Sequence, residues 1–221
     1  MIQKSTLDFL RELKKHNDKS WFDANRKRYE TAKADFTEFL QDIIDSHAKK
    51  DDGLTGLQAK SCLFRINRDI RFSKDKSPYK TNFGASLNRG GKKSVLAGYY
   101  FHLEPGEAFV GGGVRMPQPP ELAKVRQEID YGFDDFKKIV ASKKFKTVYG
   151  EMYKGDDMML SRVPKGYEPD NPAAEFLKMK SYIAMRPVTD KELLSKDLKK
   201  ITLEAFSALQ PLMGFINTAL A

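Results

Sequence analysis

The chain has 221 residues, 40% of them hydrophobic, one cysteine and a formal net charge of +9, which fits one domain over 1–221 with a sizeable core. Its longest apolar runs, such as GYYFHL and PLMGFI, fall far short of the roughly 18–20 residues that span a bilayer. MIQKSTLDFL lacks the apolar core of a signal peptide, so a soluble, cytoplasmic protein with no membrane partner is expected.

Cys62 alone can make neither an internal disulfide nor most of a zinc site, and it reads as a small buried hydrophobe. The basic excess is local. Residues 1–64 carry 12 bases and 11 acids, residues 94–221 carry 18 and 17, and residues 65–93 carry 9 and 2. Seven of the nine excess charges therefore lie in one short window, where they form a field that attracts anions.

In chain order, Ser5 stands three residues before Asp8 and opens a helix along Leu7, Leu10 and Leu13. His16-Asn17-Asp18 ends it, and Ser20 is placed to cap a longer helix with a core stripe of Trp21, Phe22, Tyr29, Phe36, Phe39, Leu40 and Ile43. Residues 62–116 read as strands. In CLFRINRDIRF the apolar Cys62, Phe64, Ile66, Ile70 and Phe72 alternate with the polar Arg65, Asn67, Asp69 and Arg71, the pattern of a half-buried strand. TNFGASLN, AGYYFHLE and AFVGGGVRM come next, across turns at Ser77-Pro78, NRGGKK and Pro105-Gly106. The fold class expected is α+β, an antiparallel meander with N-terminal and C-terminal helices packed on one face. Residues 121–142 return to helical spacing with a break at Gly132, and Pro172 starts a short helix after the loop GYEPDNP. SYIAMRPV is a further strand. Thr189 and Glu192 form a capping box before a long final helix, which Pro211 should kink or interrupt.

Four stretches, FLRELKKHNDKSWFDANRKRYE, RINRDIRFSKDKSPYKTNFGA, YYFHLEPGEAFVGGGVRMPQPPEL and PKGYEPDNPAAEFLKMKSYIA, together resemble a conserved, largely bacterial family carried as a domain of unknown function, with NRDIRFSKDKSPYK as its hallmark. The resemblance implies a single α+β domain. It implies no activity and no catalytic residue, so function has to come from the side chains.

On a regular strand Arg65, Asn67, Asp69 and Arg71 would project from one face, about 6.6 Å apart at alternate residues. Guanidinium forks at that spacing suit phosphate or carboxylate groups, and Lys74, Lys76 and Lys80 in the adjoining turn could close over the same anion. Arg65, Asn67, Arg71, Lys76 and Lys80 are the expected anion binders. The plain alternative is a solvated sheet face, but such a face mixes signs, and nine bases beside two acids repel one another without an anion. Arg68 falls on the apolar side by parity and must pair with an acid, emerge at an edge or mark a bulge.

His102 and Glu104 share the polar face of YYFHLE, and a meander brings Asp69 to the same face, so these three are the expected acid–base groups. A hydrogen-bonded surface pair is the bland alternative for His102 and Glu104. No second histidine or cysteine lies near enough in sequence to complete a zinc set, so no metal site is assigned and the cofactor is unknown. Carboxylate-bound magnesium would be the better fit if a metal were present. Gly111-Gly112-Gly113 has neither the P-loop nor the dinucleotide spacing. These glycines allow close approach by a ligand or another backbone, or tight packing of the last helix.

Three functions stay open: binding of a small phosphate- or carboxylate-bearing anion, with or without a reaction; nucleic-acid binding by residues 65–93; and a non-catalytic network of ion pairs. The small anion is favoured because the two flanking parts of the chain are almost neutral.

Overall fold

Thr6, Leu7, Phe9, Leu10 and Leu13 form the buried face of the first helix, α1 (Lys4–Lys15), as their spacing predicts. Gln3 rather than Ser5 stands at its N-cap, and the Thr6 hydroxyl donates to Asp35 (2.6 Å). Asp18, not Ser20, caps the next helix, α2 (Lys19–Ala24), by accepting from the Trp21 N–H at 2.9 Å. After Asn25 comes α3 (Arg26–His47), which buries Tyr29, Phe36, Phe39, Leu40 and Ile43. This computed structural model describes residues 1–155 and 158–221.

The strand alternation at CLFRINRDIRF does not become a strand. Cys62 ends a short helix, α4 (Ala59–Cys62), and the chain beyond it is irregular, with isolated antiparallel bridges at Leu63–Ala85 and Asn67–Tyr79. Ile66 is buried, whereas Phe64 is 40% and Phe72 95% exposed. The chain turns back on itself instead: the Arg68 N–H donates to the Pro78 carbonyl (2.9 Å) and the Lys80 N–H to the Ile66 carbonyl (2.8 Å).

The α+β class holds all the same. A four-stranded antiparallel meander runs in the order β1 (Phe83–Leu87), β2 (Gly98–Leu103), β3 (Phe109–Val114) and β4 (Tyr182–Pro187), so SYIAMRPV supplies the fourth strand. Between β3 and β4 come α5 (Pro119–Tyr131), α6 (Phe133–Ala141), α7 (Lys143–Tyr149) and α8 (Ala174–Leu177), with the expected break at Gly132. The capping box of Thr189 and Glu192 forms, but it opens the single turn α9 (Asp190–Leu193) rather than the long helix. That helix, α10 (Leu198–Leu220), continues through Pro211, whose ring nitrogen has no hydrogen to give the Ser207 carbonyl. Among the described residues no helix is long and apolar enough to cross a membrane.

The chain clusters into two compact units. The first comprises Met1–Leu87, Tyr100–Val110 and Pro187–Leu203, the second Asn88–Tyr99, Gly111–Arg186 and Glu204–Ala221. In the first, Phe36 stacks on Phe83 (5.9 Å), and both Phe36 and Phe39 meet Phe101 edge-on (5.7 and 5.5 Å), so the α3 stripe covers the buried side of β1 and β2. Phe101 and Leu103 are wholly buried, as their parity predicts.

In the second unit, Tyr99 stacks on Phe206 (4.6 Å), and Phe136 packs against Phe176 and Phe215 (4.9 and 5.4 Å). The three consecutive glycines of β3 make room for neighbouring backbone. A Cβ on Gly111 would run into the Ala184 carbonyl, one on Gly112 into the Gly98 carbonyl, and one on Gly113 into the Tyr182 carbonyl; Gly113 also has φ +125°. Gly113→Ala should therefore destabilise the protein by at least about 2 kcal/mol. Gly214→Ala, in the α10 interior where an added Cβ meets nothing within 4 Å, should stabilise it by roughly 0.5–1 kcal/mol. Urea midpoints of the two variants check both signs.

Candidate functional site

In the first unit, the hallmark segment forms a braced loop. The Asn67–Tyr79 bridge closes its base, and the Asn17 side chain clamps Tyr79: Nδ2 donates to the Tyr79 carbonyl (2.9 Å) and Oδ1 accepts from the Tyr79 N–H (3.0 Å). The Tyr79 ring stacks on Phe22 at 4.0 Å. Within the loop, Arg68 pairs with Asp75 and reaches the Ser73 hydroxyl (3.3 Å), which gives it the acid that its parity demanded. Hydrogen bonds from the Ser77 hydroxyl (2.6 Å) and N–H (2.9 Å), with Arg68 behind them, hold the Asp75 carboxyl far below the usual carboxylate range.

Asp69 grips the Arg71 guanidinium with both oxygens (2.9 and 2.7 Å), and that bond lowers the Asp69 pKa. Lys76 Nζ donates to the Ile70 carbonyl at 3.0 Å. Of the five expected anion binders, Arg71 and Lys76 thus have partners inside the loop, and Asn67 contributes backbone to its base. Among the described residues no hydrogen bond or ion pair joins Asp69 to His102 or Glu104.

Arg65 and Lys80 are different: among the described residues neither is hydrogen-bonded or ion-paired to a carboxylate, and Arg65 acts on Asp69 only through its charge, as the last and smallest influence on that carboxyl. Lys80 Nζ lies over the Phe64 ring at 5.6 Å. Burial, and then the neighbouring charge of Arg65, push the Lys80 pKa down. Phe64 in turn leans on Tyr100, with ring centroids 6.4 Å apart, so Lys80 and the polar side of β2 meet at one phenylalanine.

On that side Tyr100, His102 and Glu104 stand at period two. The Thr81 hydroxyl donates to Glu104 Oε1 (2.7 Å), His102 Nε2 lies 3.0 Å from Glu104 Oε2, and the Tyr100 hydroxyl lies 3.3 Å from His102 Nδ1. Phe109 stacks on the imidazole at 4.8 Å and 11°. The His102 and Glu104 side chains are only 16% and 10% exposed. Burial is the largest influence on Glu104 and opposes its charge, but the bonds from Thr81 and His102 and the Lys14 ammonium at 3.9 Å outweigh it, and its pKa falls. An ionised carboxylate only accepts, so Nε2 donates to Glu104, and in the neutral imidazole Nδ1 is then the nitrogen that accepts from the Tyr100 hydroxyl. A neutral imidazole oriented in this way can take a proton from the hydroxyl and return it.

Parity in the sequence put Tyr100 beside His102, but a phenol next to a histidine and a carboxylate carried no signal of its own. Thr81 left none either, because its partner is 23 residues away, and Phe64 read as core. Among the described residues no group of three or more His, Cys, Asp or Glu side chains is placed to hold a metal ion.

Residues 5–215 match a family described as Conserved hypothetical protein (DUF2461). The chain belongs to that family. The description carries no activity, and the matched span includes the braced loop, Tyr100, His102 and Glu104. No curated protein matches the chain, and no solved structure does.

Asn17→Ala should strand the Tyr79 N–H and carbonyl, cost about 2–3 kcal/mol and speed hydrogen exchange at the Tyr79 and Lys80 amides. Glu104 adds a pH dependence. Because folding lowers its pKa from the ordinary 4.5, the stability it contributes is present above that pH and is lost as pH falls through the folded value. Wild type should exceed Glu104→Gln by about 1–2 kcal/mol at pH 7, and the gap should close on acidification below pH 4.5 in urea titrations.

Proposed function

We propose that the first unit binds a small phosphate- or carboxylate-bearing anion between Arg65 and Lys80, next to the acid–base pair His102 and Glu104. The observation that carries this reading is the unmatched pair of cations. The loop supplies an acid to Arg68 and another to Arg71, whereas Lys80 is partly desolvated beside Arg65, with no carboxylate hydrogen-bonded or ion-paired to either among the described residues and Asp69, already held by Arg71, feeling Arg65 only at a distance. Holding two like charges together costs free energy that a bound oxyanion offsets. Arginine offers paired donors to such a group and lysine a point charge. Asp69, Asn67, Arg71 and Lys76 act in this reading by shaping the loop.

A second reading, nucleic-acid binding, is favoured by one residue. Phe72, 95% exposed at the loop tip, has the Arg71 guanidinium 5.7 Å over its ring and exposed Lys74 nearby, which suits a stacked base with phosphates beside it.

One thermal-unfolding series separates the two. A ligand that binds only the folded state stabilises it by mass action, so saturating sulfate, phosphate or malonate should raise Tm by about 5 °C or more. Arg65→Ala and Lys80→Ala should abolish the shift, and Arg71→Ala should keep it. No shift with any of the three anions, together with a shift from a single-stranded oligonucleotide that Phe72→Ala removes, would transfer the function to the second reading.

A further inference from the structure

We propose that Tyr100 is the proton-transferring residue of this site, and that the ligand is an anion with a hydroxyl group that exchanges a proton with the Tyr100 hydroxyl. The inference rests on the anion site at Arg65 and Lys80 and names the group that acts there. The two acid–base residues that the sequence singled out both lie behind Tyr100. Glu104 has one oxygen on Thr81 and the other on His102. His102 has Nε2 on Glu104, Nδ1 facing Tyr100 and one ring face against Phe109. Tyr100 stands between His102 and Phe64, whose ring meets Lys80, and Lys80 feels the charge of Arg65.

The phenol is also held in place by the chain beside it. A Cβ on Gly84 of β1 would sit 2.5 Å from the Tyr100 hydroxyl, so glycine at that position leaves the space in which the hydroxyl faces Nδ1. Neither Gly84 nor Tyr100 has a part in the anion cradle itself.

The proton step balances within these residues. As the ligand gives a proton to the phenolic oxygen, the phenolic O–H passes its own proton to Nδ1. The imidazole becomes imidazolium, Glu104 remains a carboxylate and stabilises the new charge, and the ligand is left one unit more negative beside Arg65 and Lys80. The reverse passage restores the start. His102 and Glu104 are then positioning and proton-holding residues, with Lys14 and Thr81 fixing Glu104 from its other side.

Tyrosine acetylation by N-acetylimidazole tests this on the whole protein without a known substrate. The acetyl group goes to a phenolic oxygen, imidazole leaves with the proton, and mass spectrometry shows which of the nine tyrosines has reacted. Tyr131, 84% exposed, is the internal reference. Tyr100, although half-buried, should react several-fold faster than Tyr131. His102→Gln should lower the Tyr100 rate about tenfold and leave Tyr131 unchanged. If His102→Gln does not fold by circular dichroism, Glu104→Gln is judged by the same criterion. A Tyr100 rate no higher than that of Tyr131, or one unchanged in the folded variant, overturns the proposal. Sulfate keeps the two readings apart. Protection of Tyr100 by sulfate that is lost in Arg65→Ala supports both. A fast but unprotected Tyr100 keeps the relay and removes the anion site, whereas a slow Tyr100 with an intact sulfate-induced Tm shift does the reverse.

Discussion

The Asn17 carboxamide gives the Tyr79 backbone the donor and acceptor that a neighbouring strand would otherwise supply, at 2.9 and 3.0 Å. Tyr79 is bridged to Asn67, so one side chain from the turn after α1 fixes both limbs of the basic loop. The ring of Tyr79 on Phe22 buries the joint, which matters because orphaned backbone groups are costly only where water cannot replace the lost partner. Two groups near the Tyr100–His102–Glu104 row come directly after Tyr79 along the chain: Lys80 is the next residue, and Thr81, whose hydroxyl orders Glu104, is the one after.

The charges of the loop divide by what they face. The pairs Arg71–Asp69 and Arg68–Asp75 each have an exposed acid, and exposed pairs add little to stability in water. Their effect is conformational, since they tie four of the charged groups of the loop to one another. Lys80 is the opposite case. It is held by a backbone bond to Ile66 and by the Phe64 ring, near a like charge, where its own ionisation is disfavoured.

The same contrast explains what the sequence could and could not reveal. Strand β2 was legible because its alternation is enforced from both sides: Phe101 and Leu103 enter the core under Phe36 and Phe39, which leaves Tyr100, His102 and Glu104 no face but the other. CLFRINRDIRF has an alternation just as regular, yet nothing pairs with it beyond single bridges, and its acids at 69 and 75 satisfy its arginines locally. Residue type along a segment records which faces would suit water and core, not whether a ladder exists to separate them. The helix starts failed on a smaller scale for a similar reason. Asp18 and Ser20 are both good caps, and the choice depends on backbone geometry two residues apart. Thr81, Lys14 and Asn17 were beyond reach, because each acts on a partner that only the folded chain brings near.

The site therefore has two halves of different origin. The Tyr100–His102–Glu104 row inherits its register from the core, because a slip of one residue would exchange Phe101 for His102 in an apolar interior, and the cost of burying that imidazole without partners forbids it. Its geometry is set once the sheet has formed. The cations instead depend on a loop held by side-chain bonds and by one clamp to the helical segment before it. Preorganisation of the row removes most of the ordering cost from any step that uses it. A proton relay tolerates little displacement along its hydrogen bonds, whereas attraction between a cation and an oxyanion falls off slowly with distance. The more exacting chemistry sits on the strand and the more forgiving one on the loop, the arrangement expected if both serve a single ligand.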